Sequence, residues 1–150
     1  MSRECGTCTK CCDGTLFGIV KGHKMYPGKP CFFLKNNKCS DYENRPMYPC
    51  KKYECLWLSD PDVPDFMKPE NANVIVDIEK FEDTEYMTLT KCNETYSNKV
   101  LNYCIKYAKQ KNILFIWNDE KNNAKFIGDH QLFLKIYNNN KNKKQYFDSY

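Results

Sequence analysis

Eight of the chain's ten cysteines fall between positions 5 and 55, four of them in Cys5-Gly-Thr-Cys-Thr-Lys-Cys-Cys12. No other feature restricts the fold as much. Free thiols at that density oxidise and cross-link unless disulfides or metal ions hold them. Across the same stretch Gly6, Gly14, Gly18, Gly22, Gly28, Pro27, Pro30, Pro46 and Pro49 interrupt any long helix or strand. A segment so interrupted buries few apolar side chains, and cross-links must supply what its core cannot. Structural zinc contributes on the order of 10–16 kcal/mol to the folding of small units, which is enough.

Disulfides are the weaker alternative. A chain of 150 residues buries roughly 70% of the surface its unfolded form exposes, so stability does not require them. The opening Met-Ser-Arg-Glu-Cys has no apolar signal region, and no apolar run approaches the roughly 18 residues of a membrane helix. These features predict a cytoplasmic protein, without a membrane partner, whose thiols stay reduced. A disulfide protein exported by another route is the competing reading.

Spacing sharpens the metal reading. In Cys5-x-x-Cys8 two intervening residues let both sulfurs converge on one ion while backbone amides point at them. Cys8-x-x-Cys11 repeats this in overlapping register. A thioredoxin-like redox site uses the same spacing, but at a strand-to-helix turn, and no strand is predicted before Cys5. The three thiols also match the start of the bacterial ferredoxin run C-x2-C-x2-C-x3-C-P. The match ends at Cys12, which is adjacent to Cys11 and has no proline after it. Neighbouring Cys11 and Cys12 tend to point apart, so they can serve two sites, or one can simply be buried. Eight thiolates suit two four-coordinate sites, or one ion or cluster beside several uncommitted cysteines. Soft thiolates select zinc, copper(I) or iron–sulfur centres over magnesium and calcium.

Taken together, CxxCxxCC at 5–12, Cys31-Phe-Phe-Leu34, Cys39-Ser-Asp-Tyr42-Glu-Asn-Arg45-Pro46, Cys50 and Cys55 resemble the CxxCxxCC family of zinc- or iron-chelating proteins, which has a related module in flagellin lysine methylases. The resemblance covers residues 5 to about 58. It implies a zinc site or an iron–sulfur cluster held by Cys5, Cys8, Cys11, Cys12, Cys31, Cys39, Cys50 and Cys55. Tyr42, Arg45 and Pro46 have two readings: groups behind the ligands, with Arg45 offsetting thiolate charge, or an ordinary ion pair and a turn. His23 reads as a surface-loop histidine and Asp13 as a turn residue.

Leu56-Trp-Leu58 reads as an apolar clasp, and the Pro- and Asp-rich 59–65 as an extended connection continued through Lys68-Pro69-Glu70. Beyond it, Val74–Ile78 and Glu85–Thr90 are predicted strands joined as a hairpin at Lys80–Asp83. Ser97–Lys111 is a helix capped by Ser97, with Val100, Leu101, Cys104, Ile105 and Ala108 on its apolar stripe. Ile113–Trp117 and Lys125–Ile127 are further strands, and Asp129 caps a short last helix before a mobile tail from Asn138. Cys92 and Cys104 read as buried structural thiols.

The expected fold class is α+β: an irregular metal-stabilised cysteine-rich segment, 1–60, packed on a small antiparallel sheet with one main helix, 61–150, as one compact unit. No GxGxxG, P-loop or HExxH occurs, and His23 and His130 are the only histidines for a catalytic triad. The chain thus reads as a metal-binding protein holding zinc or an iron–sulfur cluster rather than as an enzyme. The competing functions are an iron–sulfur redox protein or accessory factor for protein modification, and a metal-shaped adaptor for a protein partner. The net charge is +4, and the basic run Lys141-Asn-Lys-Lys144 reads as a solvated tail, so no nucleic-acid partner is expected.

Overall fold

The computed structural model describes residues 3–92 and 95–149, with side chains through 141. The chain divides into two compact units, Met1–Asp77 with Leu89–Val100, and Ile78–Thr88 with Leu101–Tyr150.

The first unit begins with two short antiparallel ribbons. Strands β1 (Gly18–Val20) and β2 (His23–Met25) pair around Lys21-Gly22, whose φ values are 49° and 83°. Strands β3 (Leu34–Lys35) and β4 (Lys38–Cys39) pair around Asn36-Asn37, at 52° and 61°. Both are two-residue loops with positive φ at each position, the turn whose twist matches paired strands. Gly14, at φ 101°, lets the segment after the cysteine run lie against 28–31: Gly28 N–H donates to Gly14 O and Cys31 N–H to Cys12 O. Val20, Met25 and Cys31 form a small core, and Cys12, Phe33, Leu34 and Cys50 pack on it.

Short helical turns follow: Tyr42–Asn44, Met47–Lys51, α1 (Leu56–Ser59), Asp65–Met67 and α2 (Pro69–Ala72). The clasp residues Leu56 and Trp57 are buried, as expected. The stretch expected to be extended instead turns twice, and Pro69 sits in the first turn of α2, where its missing N–H leaves no bond unmade.

In the second unit the sheet runs β5-β6-β7-β8, with β5 Val74–Phe81, β6 Thr84–Lys91, β7 Leu114–Asn118 and β8 Ala124–Ile127; the division between units crosses β5 and β6. Glu82 and Asp83 turn the β5–β6 hairpin with φ of 48° and 68°. The sheet is mixed, which corrects the expectation of an antiparallel one: β7 pairs antiparallel with β8, but parallel with β6, Tyr86 opposite Leu114. A parallel pair needs a crossover of a dozen residues or more, and helix α3 (Asn98–Lys111) supplies it. Val100 N–H donates to Ser97 at the start of α3, as expected, and Asn112 in the left-handed region ends it. Val100, Cys104 and Ala108 on its stripe are buried.

Asp129 caps α4 (His130–Ser149) by accepting from Leu132 N–H at 3.0 Å. Residues 138–149, expected as a tail, belong to this helix. Phe133 and Ile136 bury its apolar face on Tyr86 and Leu114. Mixed α+β architecture, with small antiparallel ribbons and a few helices, is thus what the chain adopts. Among the described residues no helix is long and apolar enough to cross a membrane.

Candidate metal centre

All ten cysteines are free thiols, and the eight between 5 and 55 lie in the first unit. Tight turns make the knuckles: Cys8 N–H donates to Cys5 O and Cys12 N–H to Thr9 O, both at 3.0 Å. The Cys8 sulfur accepts backbone N–H bonds from Lys10, two residues on, and from Glu70. Both bonds favour the thiolate and oppose the burial that raises its pKa. Cys55 is similar: burial pushes it up to about 11, against an N–H bond from Leu58.

Mutual fields show which thiols share a neighbourhood. Cys5, raised first by burial, also feels Cys11 and Cys8, and Cys55 feels Cys5 and Cys8. Cys50, again raised first by burial, feels Cys31, Cys39 and Cys11. Cys12, Cys31 and Cys50 meet at the small core, and Cys39 stands opposite its member Leu34 across the β3–β4 ribbon. These fields associate Cys55 with Cys5 and Cys8, and Cys50 with Cys31 and Cys39, the latter set adjoining Cys12 at the small core. Cys11 lies between them. Its thiol is hydrogen-bonded to Cys12, which, with burial, holds its pKa far above the ordinary thiol value. The Cys12 thiol in turn donates to Thr9 O at 3.3 Å.

Two cationic groups act on the thiols, and a third anchors the segment that carries Cys5. Arg45 lies 3.6 Å from the centroid of exposed Tyr42, and its charge lowers the pKa of both Cys5 and Cys50. Lys68, paired with Glu70 at 2.6 Å, does the same for Cys5. Arg3 fastens the start of the chain: its guanidinium donates to the carbonyls of Trp57, Asp60, Pro61 and Val63 at 2.5–3.1 Å. This brings the segment holding Cys5 beside α1, whose preceding residue is Cys55. No motif marks Arg3 or Lys68, and sequence reasoning missed both.

Asp13 is the turn residue expected, accepting from the Thr15 hydroxyl at 2.9 Å. His23 is exposed and stacked on Phe32. Cys92 and Cys104 are buried; burial alone pushes Cys104 up to about 12. Cys92, also raised by burial, lies in the first unit within the field of Cys8.

Compared with models of protein families, with curated proteins and with solved structures, the chain matches none.

The donor set can be judged on its own chemistry. Eight reduced thiols in one turn-rich unit, with N–H bonds aimed at Cys8 and Cys55 and positive charge beside Cys5 and Cys50, fit a soft metal ion. Ligand geometry is not formed: among the described residues no three Cys, His, Asp or Glu side chains converge closely enough to hold an ion.

Proposed function

We propose that this protein binds metal, as zinc or an iron–sulfur cluster, through the thiolates of Cys5, Cys8, Cys11, Cys12, Cys31, Cys39, Cys50 and Cys55. The Cys8 sulfur, accepting N–H bonds from Lys10 and Glu70 inside a CxxCxxC run, carries the reading. Such bonds are weak to a neutral thiol and stronger to a thiolate ligand, as outer-shell donors are in metal sites. Burial and neighbouring negative charge raise Cys5, Cys8, Cys50 and Cys55, and the hydrogen bond with Cys12, with burial, raises Cys11, so without metal these groups stay protonated. A bound ion displaces those protons and supplies the attraction that draws the sulfurs together. Its role in this reading is to hold the first unit folded, in a cytoplasmic protein.

The test is anaerobic purification followed by metal analysis and an absorption spectrum. Brown protein with iron and acid-labile sulfide identifies a cluster; colourless protein with zinc identifies a zinc site. Cys8→Ser should lose metal, and Cys104→Ser should retain it. Protein free of both metals, with its thiols oxidised in pairs, overturns the proposal.

A further inference from the structure

Acidic residues are absent from one span of the chain. Residues 14–40 contain five of its 23 Lys and Arg and none of its 19 Asp and Glu, so everything outside carries 18 basic against 19 acidic groups. The span carries +5 and the rest of the chain −1, although Lys21 pairs with Asp41 just beyond it at 2.5 Å. A charge asymmetry of this kind points to a polyanionic partner.

The structure shows how the span is presented. In the β3–β4 ribbon Lys35 stands directly opposite Lys38, and both are exposed. Like charges facing each other across paired strands are destabilising, and a bound anion relieves that cost. Beside them Phe32 is 54% exposed, and the exposed His23 ring lies parallel to it, with centroids 3.9 Å apart and planes within 4°. Lys35 Nζ sits 5.4 Å from the Phe32 centroid, and Phe33 meets both rings edge-on. Solvent thus meets a stack of two rings with the Lys35 ammonium over Phe32.

Contrary to the expectation drawn from the Lys141–Lys144 run, we propose that this face binds single-stranded nucleic acid, with a base stacking at the Phe32–His23 pair and phosphates on Lys35 and Lys38. Planar rings bordered by lysines are what unpaired bases and their backbone require. A ribbon of two residues per strand is too short to fill a duplex groove. The His23–Phe32 plane favours a base over the flexible side chains of an acidic peptide. The proposal concerns residues other than the cysteines and stands independently of metal binding.

The experiment is fluorescence anisotropy with labelled oligo-dT and oligo-U of about 15 nucleotides, added to the full chain in reducing buffer. Saturable binding is expected for the wild type. Two phosphate contacts give a slope of log K against log salt of about −1.4, or about sevenfold weaker binding from about 50 to 200 mM salt. Phe32→Ala should weaken binding about tenfold, and Phe32→Tyr should restore it. Lys35→Gln with Lys38→Gln should remove most of the salt dependence. Circular dichroism of each variant should match the wild type. Four results overturn the proposal: no saturable binding, equal affinity for a duplex of the same length, unchanged affinity in Phe32→Ala, or capture by phosphatidylserine vesicles without capture of either oligonucleotide.

Discussion

Arg3 offers the sharpest test of how the first unit is held. Its guanidinium donates to four carbonyls, of Trp57, Asp60, Pro61 and Val63, and lies 4.6 Å from the centroid of the Trp57 ring. Helix α1 has only four residues, so most of its carbonyls have no partner inside the helix. Hydrogen bonds to a charged group contribute roughly 1.5–3 kcal/mol each, and an exposed cation–π contact about 0.5–1 kcal/mol. These do not sum, because one exposed and three part-buried bonds give way to rehydrated carbonyls when the side chain is removed. Arg3→Ala should therefore cost about 3 kcal/mol, or on the order of a hundredfold in the folding constant. Arg3→Lys should recover about a third of it, since an ammonium lacks the planar fork that reaches several carbonyls at once. Urea unfolding followed by Trp57 fluorescence measures this, with Trp117→Phe as the background so that one tryptophan reports. At a slope of about 1 kcal/mol per molar urea, the midpoint should fall by about 3 M. A loss under about 0.5 kcal/mol for Arg3→Ala, or full recovery by Arg3→Lys, would refute the clamp.

Other perturbations separate the remaining contributions. Ile136 is fully buried against Leu114 and Tyr86, so Ile136→Ala should destabilise the second unit by about 2–5 kcal/mol, read by thermal unfolding; a loss below about 1 kcal/mol would mean that α4 does not hold this core. Gly128 has φ 127°, and a Cβ there would lie 3.0 Å from Leu114 Cα, so Gly128→Ala should cost about 2 kcal/mol or more in the same assay. Cys104 has its thiol pushed from 9.0 up to about 12 by burial, so the folded state keeps a proton that the unfolded state releases. Its contribution is intact below pH 9 and is lost as pH rises toward 12, by up to about 1.4 kcal/mol per unit. Cys104→Ala should flatten the decline in stability above pH 9, and an unchanged slope would show that another group governs it.

Much of the local structure was legible because it depends on neighbours in sequence. The stripe on α3, the Ser97 and Asp129 caps and the positions of β5 to β8 follow from side-chain period and capping chemistry, which act within a few residues. The sheet's direction was not legible. Burial alternation is the same whether β7 runs with or against β6, and only the packed crossover decides it. The last helix outran its expected end because 138–145 contain no apolar residue, which leaves no apolar period to read.

The candidate site divides in the same way. Sequence alone determined that thiols dominate residues 5–55, that CxxC turns bring neighbouring sulfurs together, and that glycine and proline prevent long elements there. Tertiary structure decided which distant thiols share a neighbourhood. Cys31 meets Cys12 because Gly14 lets two segments run side by side, and the reach of Arg3 to α1 brings Cys55 within the field of Cys5. Those juxtapositions arise from contacts more than fifty residues apart for Arg3, and from a left-handed glycine for Cys12. Spacing sets which thiols lie within one turn of each other, whereas proximity across the chain depends on backbone paths that only packing fixes.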